Sequence, residues 1–240
     1  MAAGNVLKSL YPKLFHVTCV AHLLHNSAMK VKSHFHYVDQ LIASIKAATV
    51  KNKNRQAQFA AIGYSPQPIV TRLGSWLNAA LYYARNLPEV KSIVESFEGS
   101  GVLVTQAKIS LQTPSLATQL LKIKDQYECL VNLIDIMESA KCTIKEAVQA
   151  IQGLDFGEDI CNISRYMKKR IENNDILKIM SVERSDISPA VYSLLQHCQP
   201  TSASVERSFS MLRKILAKDR SFAIENLKYY VILHFNTCVW

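Results

Sequence analysis

The residues best suited to chemistry are crowded near the amino end. His16, His22, His25, His34 and His36 fall within a short stretch, with Cys19 among them. Cys19-x2-His22 has the spacing of half a tetrahedral zinc site. A complete site needs a second pair at matching spacing. His34-x-His36 does not supply it, because alternate residues of a helix point in different directions. The expectation is therefore no bound metal, with Cys19 and His22 held by local hydrogen bonds.

Metal-dependent cutting of phosphodiesters needs several carboxylates converging on ions about 4 Å apart. Asp39 is the only acid before Glu89, and the close group Asp155, Glu158 and Asp159 is accounted for by helix capping. No phosphate loop, dinucleotide-binding glycine pattern, nucleophile elbow or HExxH is present. The commonest nucleotide, hydrolase and metalloprotease chemistries drop out. The chain is read as no enzyme, and no cofactor is expected.

The elements that hold these residues are read from pattern. Of 240 residues only 7 are glycine, which disfavours turn-rich sandwiches, barrels and propellers and points to helices. Residues 14–21, LFHVTCVA, alternate as a strand does. A helical pattern follows from His22, breaks near His34, and runs on to about Ala48 with Leu41, Ile42 and Ile45 as its apolar stripe. Residues 51–55 read as an exposed polar connection. Trp76, Ala80, Tyr83 and Leu87 line one face of a further helix, and Pro88 opens a short one that ends at residues 99–101. The longest helix spans residues 115–140, with Leu116, Leu120, Tyr127, Leu130, Val131, Ile134 and Met137 on its apolar face. Asp155 with Glu158 resembles a capping box and predicts a helix from there to Asn173. Two amphipathic segments close the chain, one carrying Val205, Phe209, Leu212 and Ile215, the other Leu227 and Val231.

Formal net charge is +9, and its distribution is uneven. Residues 1–55 hold eight Lys or Arg against one acid, whereas the remainder is nearly balanced. A basic end of this kind is the electrostatic footprint of a polyanion partner or of a plain solvated face. The six cysteines are irregularly spaced without CxxC, so reduced, mostly buried thiols are expected. The first residues lack a basic region followed by an apolar one, and no segment is apolar enough to span a bilayer, so a soluble protein without a membrane partner is expected.

Three segments together resemble the hAT superfamily of transposases. Residues 15–26, FHVTCVAHLLHN, are similar to that family's strand and CxxH. Residues 70–84, VTRLGSWLNAALYYA, are similar to its Thr-Arg-Trp segment, with Leu73 in place of the Trp. Residues 200–212, PTSASVERSFSML, continuing to Asn226, Leu227, Phe235 and Asn236, resemble its carboxy-terminal dimerisation region. The resemblance implies a ribonuclease-H-like sheet interrupted by a helical insertion domain, and an Asp-Asp-Glu triad that uses magnesium or manganese. Glu206 matches the Glu of that triad. Both aspartates of the family precede its CxxH, on strands that the alignment would put before Phe15.

The resulting expectation is a mainly α protein. Residues 1–55 would be an incomplete ribonuclease-H-like remnant with one orphan strand, residues 56–195 the helical insertion domain, and residues 196–240 the dimerisation-type helices. The function implied is that of a domesticated, catalytically incomplete transposase relic acting in protein dimerisation. Its partner would be itself or a related hAT-type protein, through Val205, Phe209, Leu212, Ile215, Leu227 and Val231. Glu206 would be a relic of the triad rather than a catalyst. The alternatives are DNA binding through Cys19, His22, Arg72 and Trp76, or a full transposase whose first part is absent from the gene model. Nuclear residence follows from the resemblance.

Overall fold

Helix periodicity dominates this sequence, and helices are what form. The computed structural model describes residues 9–10, 19–63, 74–99, 101–138, 142–172, 188–196 and 229. In chain order the helices are α1 (Val20–His34), α2 (His36–Thr49), α3 (Lys53–Gln58), α4 (Ser75–Arg85), α5 (Leu87–Glu95), α6 (Val102–Leu111), α7 (Leu116–Glu138), α8 (Ile144–Gln152), α9 (Ile163–Glu172) and α10 (Pro189–Gln196). A single 3-10 turn, Ala60–Ile62, follows α3. The mainly α expectation holds, and no strand occurs among the described residues.

α7 is the spine. Its 23 residues reach about 35 Å at 1.5 Å per residue, and α1, α2 and α4 all pack against it. The predicted face from Leu116 to Met137 is buried throughout. α6 lies along α2, α9 along α1, and α5 bridges α4 and α6. Buried residues from Val20 to Leu195 form one continuous apolar cluster. An ion pair between Arg85 and Glu128 ties α4 to α7 at the surface.

The break between α1 and α2 sits at Phe35, one residue beyond the sequence estimate. Phe35 leaves helical geometry at φ −115° and ψ 59°, closes α1 by donating its N–H to Lys32 O, and starts α2 by accepting from Asp39 N. Its ring is buried edge-on against Tyr127, with centroids 6.3 Å apart. Burial of one aromatic thus decides where a long helical pattern bends.

Several expectations need correction. The ribonuclease-H-like remnant over residues 1–55 is not supported. The described part of that span is helical, and Val20 and Ala21, assigned to the orphan strand, open α1 instead. Val20 completes a buried helical stripe with Leu24, Ala28 and Val31, which outweighs the short alternation before it. Residues 14–18 lie outside the described residues. Residues 51–55 are not simply a connection, because the Asn52 side chain accepts from Arg55 N at 3.0 Å and nucleates α3. No helix starts at Asp155. That carboxylate accepts from Gly157 N in a turn, and Asp159 caps α9 through Ile163 N at 2.8 Å and Ser164 N at 2.7 Å. α6, α8 and α10 are additions to the predicted set. α8 begins at a true capping box, Thr143 with Glu146.

Candidate functional site

One face of α1 presents His22, His25, Met29 and Lys32 at three- and four-residue spacing, and one face of α2 presents Asp39, Ala43 and Lys46. The start of α4 closes the gap between them. A cleft of about 280 Å³ results, with His25, Met29, Lys32, Asp39, Lys46 and Trp76 on its walls. Its floor is apolar, and its polar groups converge from three helices.

Trp76 is 5% exposed, and its Nε1–H donates to Asp39 Oδ1 at 2.9 Å. Lys32 Nζ lies 3.2 Å from the same oxygen. The carboxylate is thus shared between an indole and an ammonium, which fixes the ring of Trp76 against α2. On the other side of the cleft the backbone N–H of Gly74 donates to His25 Nδ1 at 3.3 Å. That donor assigns the imidazole proton to Nε2. Burial, reinforced by the neighbouring His22, holds the His25 imidazole below its ordinary range, so it is neutral at pH 7.

Gly74 sits at φ +66°, in the left-handed region where a side chain is strained. A Cβ there would stand 2.9 Å from Ile134 Cδ1 of α7. Glycine is therefore required both by the turn into α4 and by the close approach of α7.

Of the residues singled out for DNA contact, Trp76 lines this cleft and is mostly buried. Cys19 precedes α1, partly buried, with its carbonyl accepting from Leu23 N. His22 lies in the first turn of α1, partly buried, one turn from His25. Arg72 lies outside the described residues, as do Glu206 and the association residues Val205, Phe209, Leu212, Ile215, Leu227 and Val231. His34 and His36 are exposed, the first with Nδ1 at 2.9 Å from Lys30 O and the second tilted at 45° against the Tyr37 ring. Among the described residues no three His, Cys, Asp or Glu side chains converge in a way that could hold a metal ion. The sequence reading had no part for His25, Asp39, Lys32 or Lys46 in a common site. The 22/25/29/32 and 39/43/46 spacings were the available signal.

Other polar groups serve architecture. Cys142 and Cys161 are buried and Cys129 partly so, all three are unbridged, and burial pushes each thiol up and away from the nucleophilic thiolate. The Tyr127 hydroxyl accepts from Cys161 N at 3.4 Å in the core. A second cavity, about 420 Å³ between α8 and α9, is lined by Ile151, Leu154, Phe156, Met167 and Ile171 together with Ser164, Lys168 and Glu172.

The cleft places two ammonium groups, that of Lys32, already paired with Asp39, and that of Lys46, beside an indole edge. It has one carboxylate, already engaged. Compared with protein-family models, with curated proteins and with solved structures, the chain finds no match in any of the three. No described helix is long and apolar enough to cross a membrane.

Proposed function

We propose that this chain is a transposase-derived, catalytically incomplete protein that works by associating with a second copy or with a related hAT-type chain, in the nucleus. The resemblance of residues 200–212 and their continuation to a dimerisation region supports the reading. The observation that carries it is an apolar helix face turned to solvent. α6 docks on α2 through Val104, Ala107 and Leu111, yet its other side exposes Val102, at 71%, together with Leu103 and Ile109. Val102 and Ile109 are seven residues apart and share one face. Grouped apolar exposure of this kind marks contact surfaces more often than scattered single residues do.

Multi-angle light scattering across a concentration series tests this. A mass that rises toward the dimer is expected, with Leu212→Asp or Ile109→Asp restoring the monomer. A strictly monomeric mass at micromolar concentrations refutes it. Metal-dependent nicking of duplex DNA by the chain, abolished by Glu206→Gln, would overturn the non-enzymatic part.

A second reading, DNA binding by the basic amino end, is favoured by one arrangement. Lys32 and Lys46 flank the cleft, and Lys51, Lys53 and Arg55 follow on and beside α3. Arg55 is held by Ala48 O and Glu98 O and lies over the Phe97 ring. Binding through these groups must weaken steeply with salt, with a log–log slope of about −0.9 per phosphate neutralised. Affinity that is flat between low and moderate salt rejects it.

A further inference from the structure

The bond from Gly74 N–H to His25 Nδ1 joins two elements 49 residues apart, and it uses the one side chain in the cleft that titrates near neutrality. Only the neutral imidazole can accept it. Protonated, Nδ1 becomes a donor facing another donor. The amide it faces leads directly into α4, where the positive end of the helix dipole already disfavours a cation. Gly74, the residue at the cap position of α4, has no side chain with which to cap that end.

The charges around His25 act in both directions. His22 stands one turn before it on α1 and Lys32 two turns after it, and Lys46 faces the same cleft from α2; each opposes a positive imidazole. Asp39, also on α2, favours it, but its Oδ1 is already shared by Lys32 and Trp76. α4 brings only Ser75, Trp76 and Leu77 to the cleft, none of them ionisable near neutrality, and α7 brings Ile134 against Gly74. Asp159, before α9, interacts with Lys30 on a different flank of α1.

We infer that His25 is a proton-operated latch on α4: when its imidazole is protonated, the Gly74 bond is lost, the start of α4 detaches from α1, and the cleft beside Trp76 opens. The indole then loses its fixed place against Asp39, two residues beyond the latch. The closed state belongs to neutral pH and the open state to mild acid. Burial and His22 set the direction, since both lower the proton affinity of His25 in the folded chain. The sign follows by linkage. A folded-state value below the ordinary imidazole value of about 6.5 means that the unfolded chain binds the proton better, so the latch contributes fully above about 6.5 and is lost as pH falls from there through the lower folded-state value.

Trp76 reports on the change. With Trp240→Phe as background, Trp76 is the only tryptophan of the full chain. Its emission should shift reversibly as pH falls from about 7 to about 5. His25→Gln supplies a non-titrating acceptor and should hold the neutral-pH emission throughout. His25→Phe supplies none and should show the acid emission at every pH. His22→Gln should retain the transition and move it to higher pH. If His25→Gln titrates like its parent, or if Trp76 emission is constant over the range, the latch is refuted. Amide exchange at Gly74 in the unmutated chain gives a second measurement that needs no folded variant. After correction for the intrinsic rate, protection should fall about fivefold on acidification, the factor set by one hydrogen bond, and unchanged protection overturns the inference.

Discussion

Gly74→Ala is the most informative single substitution, because two separate costs meet at one atom. The backbone there has φ +66°, and placing an L side chain in that region costs about 1–2 kcal/mol. The added Cβ would also lie 2.9 Å from Ile134 Cδ1, well inside the contact distance of about 3.5–4.0 Å. Ile134 is 2% exposed, so relief must come from the core, and overpacking of this kind costs about 1–3 kcal/mol. The sum predicts a loss of about 2–5 kcal/mol for Gly74→Ala. The contributions separate in a double-mutant cycle. Ile134→Val deletes Cδ1 and alone costs about 0.5–1.5 kcal/mol. The next nearest atom, Ile134 Cγ2, is at 3.9 Å and does not interfere. The double variant should therefore recover about 1 kcal/mol or more relative to the sum of the singles, leaving only the backbone strain. Urea unfolding followed by far-ultraviolet circular dichroism measures all four corners. Additivity within about 0.5 kcal/mol would show that α7 does not press on Gly74. A Gly74→Ala cost below about 0.5 kcal/mol would refute the left-handed turn as well.

Two further outcomes follow from caps. Burial pushes the Asp159 carboxyl up, but hydrogen bonds from Ile163 and Ser164 outweigh this and hold it below the ordinary range. Its contribution is present above the unfolded value of about 3.9 and is lost as pH falls through the folded one. Asp159→Ala should cost about 0.5–2 kcal/mol at pH 7, with the deficit vanishing toward pH 2; a deficit that persists in acid contradicts the charged cap. Thr143→Ala removes the hydroxyl that accepts from Glu146 N, and should cost about 1 kcal/mol and raise amide exchange along α8, with Thr143→Ser close to the parent. Equal exchange in all three forms would show that the capping box does not hold α8.

Legibility varied with helix type. α7 was readable because its buried residues from Leu116 to Met137 repeat with helical period, and α4 because Trp76, Ala80 and Tyr83 do the same. α6 was not, since Val102, Leu103, Val104 and Ile109 place apolar side chains on both its faces and blur the period. α3 has only six residues, too few for a stripe, and its signal was a lone Asn52 cap. At Asp155 the spacing of a capping box was present without its geometry. The chain needed one more turn, and Asp159 took the cap.

The helical class, the basic amino end and the apolar faces of the long helices were determined by the sequence alone, because composition and local periodicity act over a few residues. The cleft was not. Asp39 meets Trp76 across 37 positions and His25 meets Gly74 across 49, and neither pair carries a local signature. Those meetings depend on how α1, α2 and α4 share the surface of α7. Packing of that kind is set by the shapes of buried side chains such as Phe35 and Ile134, through contacts that no spacing along the chain encodes.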